Sequence, residues 1–261
     1  MHSALHPSVA ARLARYRALM ERHGSVPLDG LYLVGSIALD DFQPGWSDID
    51  FIAVTAEPLS SNALDVIETV HRTLAREPGP ALDGFYLDRS RLGLPPDPAA
   101  TLPFELAGHF HRRTACFEAN PVTWATWHDH GVPILGPPPK DLGLSIDPAA
   151  LIEFERDNLD RYWIDWVVSR WAGPADSMVA SWGVLGVLRL AHVLATGAVA
   201  SKTAAGHWAL SRFARSWRPI VEEALETRRG GPVPMPLARY HTAVDFVAFV
   251  IAETRSGHPL R

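Results

Sequence analysis

The spacing of apolar and polar residues divides the chain into two parts. In the first part, short apolar runs bounded by Gly, Pro or polar residues predict strands, and apolar residues three or four apart predict helices. The predicted strands are 31–34, 48–54, 82–87 and 132–135, and the predicted helices are 8–23, 62–75 and 121–131. The order strand, strand, helix, strand within this part is typical of a small α/β domain.

Two stretches of the first part have no clear pattern, and the second part is helical throughout. Residues 91–103 are rich in Pro and Gly and predict irregular structure, whereas 101–116 is ambiguous. The predicted helices of the second part are 151–169, 178–194, 201–211, 219–227 and 237–254. Since Gly136–Pro139 opens the best candidate linker, we expect two domains: an α/β domain with a mixed sheet over 1–145 and an all-α helical bundle over 146–261.

Composition narrows the class of protein. Hydrophobic residues make up 47% of the 261 and charged residues 20%, which is enough for packed cores. The net charge of −5 disfavours a nucleic-acid-binding protein, and the single Cys116 excludes both an intramolecular disulfide framework and a cysteine-built zinc site. No apolar run approaches the roughly 20 residues that span a bilayer, and the N-terminus lacks a signal-peptide pattern. We therefore expect a cytoplasmic protein, a monomer or weak dimer, with no membrane partner.

One local pattern carries candidate chemistry. Gly35 and Ser36 follow the first predicted strand, and Ser47, Asp48 and Asp50 stand where the second begins. Residues i and i+2 of a strand point to the same side, so the two carboxylates project together and repel each other. A divalent cation such as Mg²⁺, which binds carboxylates together with substrate phosphates, would stabilise the pair. The glycine and serine can bring backbone amides and a hydroxyl close to a phosphate.

These residues resemble a known family signature. The stretch LYLVGSIALDDFQPGWSDIDFIAV is similar to that of the DNA-polymerase-β-like nucleotidyltransferases, which have Gly-Ser, a spacer and then Asp-x-Asp. The stretch LGVLRLAHVLATGAVASKTAAGHWAL, with Asn120–Trp124 and Ile134–Pro137, resembles the bacterial aminoglycoside adenylyltransferases of the streptomycin/spectinomycin type. The resemblance covers about residues 30 to 255. It implies a polymerase-β-like N-terminal domain, a helical C-terminal domain and a role in antibiotic resistance.

The resemblance also implies an activity and assigns roles to residues. ATP and Mg²⁺ would serve the transfer of AMP to a hydroxyl of a small molecule, with an aminoglycoside or aminocyclitol as the leading acceptor. Asp48 and Asp50 would hold the metal, with Gly35, Ser36 and Ser47 beside the nucleotide. A third carboxylate, on the next strand, would be the catalytic base. The matching position is Asp83, where the family has glutamate, and Asp88 is the alternative.

The second domain would supply the rest of the site. Lys202 and Arg189 match family positions that reach the nucleotide phosphates, so the active site is expected in the cleft between the domains. The family places acidic residues and a tryptophan against the cationic drug. Here Val179 stands where an acidic contact is expected, with Trp182 and Asp176 nearby. Two alternative functions stay open: a nucleotidyltransferase of this fold that acts on a protein or an RNA, and a non-catalytic nucleotide-binding module.

Overall fold

Two units, Met1–Asp147 and Pro148–Arg261, make up the chain in the computed structural model, which describes residues 5–24 and 26–256. The first unit is a mixed sheet with helices, as the sequence predicts, but the sheet has six strands where four were predicted. Its strands are β1 (Gly30–Leu33), β2 (Ile49–Thr55), β3 (Leu82–Asp88), β4 (Thr101–Leu106), β5 (His109–Ala115) and β6 (Val132–Leu135). Its helices are α1 (Pro7–His23), α2 (Gly35–Ala38), α3 (Ser61–Leu74) and α4 (Pro121–His130).

The sheet has the strand order β5-β4-β3-β2-β1-β6 and is mixed. β2 and β3 pair in parallel because α3 carries the chain back between them, and the other neighbours pair antiparallel. Alternate side chains of the strands enter two separate cores. Phe51 and Tyr86 pack with α1 and α3 on one face, whereas Phe85 stacks on Trp124 of α4 on the other, with ring centroids 5.9 Å apart.

The β4–β5 hairpin lies where the sequence pattern is unclear. The prediction of irregular structure up to residue 103 is wrong over its last three residues, because β4 begins at Thr101. Pro103, which has no backbone N–H to donate, coincides with a shift in the pairing register between Leu102 and Phe104. β5 has a polar, largely exposed sequence because it forms the edge of the sheet. A proline and an edge strand together hide the alternation that identifies strands.

The second unit is all helical in its described residues. Its helices are α5 (Pro148–Asn158), α6 (Ile164–Trp171), α7 (Ser177–Thr196), α8 (Lys202–Leu210), α9 (Arg218–Gly230) and α10 (Leu237–Ser256). The single helix predicted over 151–169 is wrong in one detail, since a π-helical segment, Leu159–Trp163, separates α5 from α6. Apolar spacing does not reveal such a widened turn. The indoles of Trp163 and Trp166 lie directly against Gly186 and Gly183 of α7, where a Cβ atom would come within 2.5 Å and 2.3 Å of them.

Helix α7 is the centre of the helical core. It is long and apolar enough to cross a membrane by length and composition alone, but most of that apolar stretch is buried among the other helices of the unit. Such burial is typical of the core helix of a soluble protein.

Candidate active site

The carboxylate of Asp50 is in contact with the backbone of Gly35. Gly35 opens α2 with a φ of 56°, and a Cβ atom at this position would lie 1.8 Å from Oδ2 of Asp50. The amide of Val34 donates to the carbonyl of Asp50 over 3.0 Å, which ties the end of β1 to the start of β2. Both the left-handed backbone and the close approach require glycine here. The Gly-Ser turn of the sequence is therefore shaped around the half-buried Asp50.

The other residues of the motif surround this contact. Asp48 immediately precedes β2 and is exposed. Ser47 Oγ accepts from the amide of Gln43 over 3.0 Å and closes the loop that delivers Asp48. Ser36 Oγ is buried and has no hydrogen-bond partner among the described residues, so it keeps a donor for a ligand. The exposed carboxylate of Asp48 and the half-buried carboxylate of Asp50 suit Mg²⁺, which combines one or two carboxylates with phosphate oxygens. Within 5–24 and 26–256, no group of three or more His, Cys, Asp or Glu side chains could hold a metal ion, so an ion held by Asp48 and Asp50 would need phosphate oxygens as its other ligands.

Asp83 is the cross-strand partner of Asp50. The parallel register of β2 and β3 places their Cα atoms opposite each other, and Asp83 is 8% exposed. Its Oδ2 accepts from the amide of Ala107 over 3.1 Å, and its Oδ1 is buried without a partner in the described chain. Burial raises the pKa of Asp83, the Ala107 hydrogen bond opposes this, and the charge of Asp48 adds to it. A carboxylate with a raised pKa accepts a proton more readily.

Asp88, the alternative base, lies at the opposite end of β3. Its register partner is Thr55, the last residue of β2. Its Oδ1 accepts from the amide of Ser90 over 3.2 Å, and its Oδ2 lies 3.4 Å from Nε of Arg91. The carboxylate therefore caps the turn after β3 and does not lie beside the Asp48–Asp50 pair.

The sequence analysis missed one acidic residue. Glu105 of β4 is opposite Gly84 of β3 and is only 4% exposed. Burial, then the charge of Asp83, raises the pKa of Glu105 to about 7, while the amide of Gly108 opposes the shift by donating a hydrogen bond. Oε2 of Glu105 lies 3.9 Å from Nδ1 of His71. The sequence signal for a buried acid was a glutamate between two apolar residues, Phe104 and Leu106. We could not use this signal, because 101–116 has no clear secondary-structure pattern.

In the helical unit, the start of α8 brings Lys202, Trp182 and Arg189 together. Ser201 caps α8 through its hydroxyl, which accepts from the amide of Ala204 over 3.1 Å, and Lys202 is the first residue of the helix. Nζ of Lys202 is 5.8 Å from the ring centroid of Trp182 on α7. The half-buried Arg189 donates from Nε to the carbonyl just before the cap, that of residue 200, over 3.1 Å. Two cations thus converge on the junction between α7 and α8.

The predicted acceptor-side residues have different positions. Trp182 is 41% exposed and stacks on Trp163, with ring centroids 5.3 Å apart, beside the exposed Tyr162. Asp176 caps α7, and its Oδ1 accepts from two amides of the first turn at 2.8 Å and 3.0 Å. Val179 is partly buried in the helical core. Trp182 and Tyr162 therefore form an aromatic surface, whereas the carboxylate of Asp176 is engaged by the amides of α7.

Comparison with known proteins gives two family matches and one structural match. Residues 16–78 match the family described as nucleotidyltransferase domain, and residues 167–253 match the aminoglycoside adenylyltransferase C-terminal domain. No curated protein matches the sequence significantly. The fold is similar to the crystal structure of spectinomycin adenyltransferase AAD(9) from Enterococcus faecialis with ATP and spectinomycin. The TM-score is 0.68, at 14% identity over 93% of this chain and 99% of that one.

Proposed function

Because this chain belongs to the aminoglycoside adenylyltransferases of the nucleotidyltransferase superfamily, we propose that it transfers AMP from ATP to a hydroxyl of an aminoglycoside or aminocyclitol. The observation that carries this proposal is the register of β2 and β3, which sets Asp83 opposite Asp50, with Asp48 two residues before it. One end of a parallel strand pair thus holds three carboxylates: the more exposed Asp48 and Asp50 suit a metal ion, and the buried Asp83 suits a base.

Each unit offers its own candidate groups for phosphate. In the first unit, Gly35 and Ser36 offer backbone and a buried hydroxyl. In the second unit, Lys202 and Arg189 offer positive charge at the start of α8. Asp48 and Asp50 would hold Mg²⁺ through their oxygens, and the bound ion supplies charge neutralisation for the phosphates.

Asp83 would act as the general base. The acceptor hydroxyl oxygen forms a bond to the α-phosphorus of ATP, the bond to the β-phosphate bridging oxygen breaks, and pyrophosphate leaves. Asp83 takes the hydroxyl proton, a transfer favoured by the burial that raises its pKa. The backbone ladder between β2 and β3 positions this base relative to the carboxylates that hold the metal, so much of the catalysis is orientation.

The acceptor would meet the aromatic surface of α7. Trp182 and Tyr162 present exposed rings, which suit the apolar faces of a sugar or cyclitol. The similar solved structure contains spectinomycin, which makes this aminocyclitol the first acceptor to test. We propose that the protein acts in the cytoplasm, where ATP and Mg²⁺ are available, as a monomer or weak dimer.

The test is a pyrophosphate-release screen of the purified full-length protein with ATP and Mg²⁺ against spectinomycin, streptomycin and other aminoglycosides. We expect release that depends on one acceptor class and is lost in Asp48→Asn, whose exposed position leaves folding intact. Titration calorimetry with ATP–Mg²⁺ distinguishes an active transferase from a module that only binds nucleotide. Nucleotide binding without pyrophosphate release on any drug would contradict the proposal, and full activity of Asp48→Asn would contradict the metal assignment.

A further inference from the structure

A small cavity lies beside the start of β3, next to the proposed base. Its volume is about 30 Å³, and among its lining residues are Asp83, Glu105, His71, Arg12 and Gly108. A cavity of this size holds a water molecule when polar groups surround it. Such groups come from four elements, α1, α3, β3 and β4, and from the turn between β4 and β5.

The two acids that line the cavity have the same unusual arrangement. One oxygen of each is held by the β4–β5 turn, since the amide of Ala107 donates to Asp83 and the amide of Gly108 donates to Glu105. The remaining oxygen of each, Oδ1 of Asp83 and Oε2 of Glu105, is buried and has no hydrogen-bond partner among the residues described. Both side chains are more than nine-tenths buried. Two buried oxygens without partners are costly unless a third group joins them.

Among the described residues, no neighbouring cation neutralises Glu105. Burial lowers the pKa of His71 to about 3, so this ring is neutral at physiological pH, and its Nε2 is 2.8 Å from the Tyr86 hydroxyl. Arg12 directs its guanidinium to the carbonyls of Leu74 and of residue 77, over 3.1 Å and 3.2 Å. The remaining charged group that faces Glu105 in the described part of the chain is the negative Asp83. The pKa of about 7 for Glu105 follows from these surroundings, and near neutral pH a large share of Glu105 carries a proton that it can donate.

We propose that Glu105 is a positioning residue for Asp83: protonated Glu105 donates a hydrogen bond, through a water in this cavity, to the inner oxygen of Asp83. The proposal rests on the proposed function, in which Asp83 is the base. The Ala107 amide and the bridging water then hold the Asp83 carboxylate from two sides and fix its orientation toward the acceptor hydroxyl. When Glu105 ionises, the donor is lost and two negative charges face each other across the cavity.

Two variants of Glu105 separate positioning from packing. Glu105→Gln keeps a donor of the same shape, whereas Glu105→Leu keeps the volume but removes the donor. We expect Glu105→Leu to lower kcat at least about ten-fold with KM for ATP and acceptor little changed, and Glu105→Gln to stay within about three-fold of the wild type. The wild-type kcat should also fall above about pH 7, and this limb should be missing in Glu105→Gln. Thermal unfolding of all three proteins shows whether each is folded under assay conditions.

A high-resolution crystal structure gives a readout that does not depend on turnover. We expect an ordered water within hydrogen-bond distance of Asp83 and Glu105 in the wild type, and a reoriented Asp83 in Glu105→Leu. Wild-type kcat in Glu105→Leu, equal losses in both variants, or the absence of a bridging water would overturn the proposal. If the wild type modifies no acceptor, the proposed function fails. The crystal structures still decide the positioning, since an unchanged Asp83 in Glu105→Leu rejects it.

Discussion

Gly35 and Asp50 are so close that the position of one carboxylate depends on the absence of one methyl group. A Cβ atom on residue 35 would lie 1.8 Å from Oδ2 of Asp50. Gly35→Ala must therefore displace Asp50, and a shift of about 1 Å at a catalytic group can cost about 100-fold in kcat/KM. We expect a loss of that size in pyrophosphate release.

Gly45→Ala is the matched control for that variant. Gly45 also has a positive φ, 86°, but nothing lies within 4 Å of its Cβ position. Both variants share the backbone strain of about 1–2 kcal/mol, and only the first meets the carboxylate. Equal activity losses in the two variants would contradict a specific role for the Gly35–Asp50 contact.

Substituting Asp83 and Asp88 one at a time shows which of them is the catalytic base. We expect Asp83→Asn to lower kcat by about 10²–10⁴-fold, because an amide does not accept the hydroxyl proton. Asp88→Asn removes part of the cap after β3 and should cost about 1 kcal/mol of stability or less while activity is retained. Steady-state kinetics and thermal unfolding of both variants measure this, and the reverse pattern would assign the base to Asp88.

Lys202 gives a prediction about nucleotide affinity. We expect Lys202→Ala to weaken ATP–Mg²⁺ binding about ten-fold in titration calorimetry, because a charge-assisted contact to phosphate is lost. The difference from the wild type should shrink at high salt. Lys140, the only other lysine in the chain, is exposed in the first unit and serves as the control. An effect of Lys140→Ala as large as that of Lys202→Ala would indicate only a general change in charge.

Glu155 predicts a pH dependence of stability. This buried residue of α5 has its pKa raised by burial to about 7, from 4.5, although the charge of Arg189 and a hydrogen bond from Asn158 oppose the shift. A raised pKa in the folded state means that the stabilising contribution is complete below about pH 4.5 and is lost as pH rises through 7. We expect the Tm of Glu155→Gln, compared with that of the wild type at the same pH, to rise as the pH increases from 5 to 8. A Tm difference that is constant with pH would show that Glu155 is ionised throughout.

Two glycines of the helical unit should respond oppositely to a methyl group. A Cβ on Gly186 would come within 2.5 Å of the Trp163 ring, so we expect Gly186→Ala to destabilise the protein by about 1–3 kcal/mol. Gly230, in α9, has nothing within 4 Å of its Cβ position, and alanine there should stabilise by up to about 1 kcal/mol. Chemical denaturation of both variants tests whether the indole is packed against α7 as described.

Sequence patterns located most of the fold for identifiable reasons. After Asp50 and Asp83, the strands β2 and β3 continue as apolar runs because both of their faces are buried, and α4 begins at Pro121, where the Asn120 side chain accepts from the amide of Thr123. The β4–β5 hairpin was not recognised, because Pro103 and a polar edge strand interrupt the alternation. The π-helical segment was missed because its apolar residues keep nearly helical spacing.

For the candidate site, the sequence predicted the local motifs but not which distant residues pair in the fold. Asp48 and Asp50 follow from spacing within one strand, whereas the pairing of Asp50 with Asp83 depends on a register between strands that spacing does not encode. Glu105 required knowledge of the hairpin that brings it back to Asp83. Asp83 was predicted through the family resemblance, whereas Glu105, which reaches the site only through the folded hairpin, was not found.

The parallel pairing of β2 with β3 also bears on how such an enzyme tolerates variation. The apolar side chains of these strands, such as Phe51 and Phe85, point into the two cores, but the backbone ladder keeps Asp50 opposite Asp83. A slip by one residue would send every side chain of a strand into the opposite core, where the packing does not fit it, so intermediate registers are not populated. Variants in these cores should change how many folded molecules a cell contains and leave the rate of each molecule nearly the same. Natural drift at such positions would then appear as a change in the level of drug tolerance and not in which drug is modified.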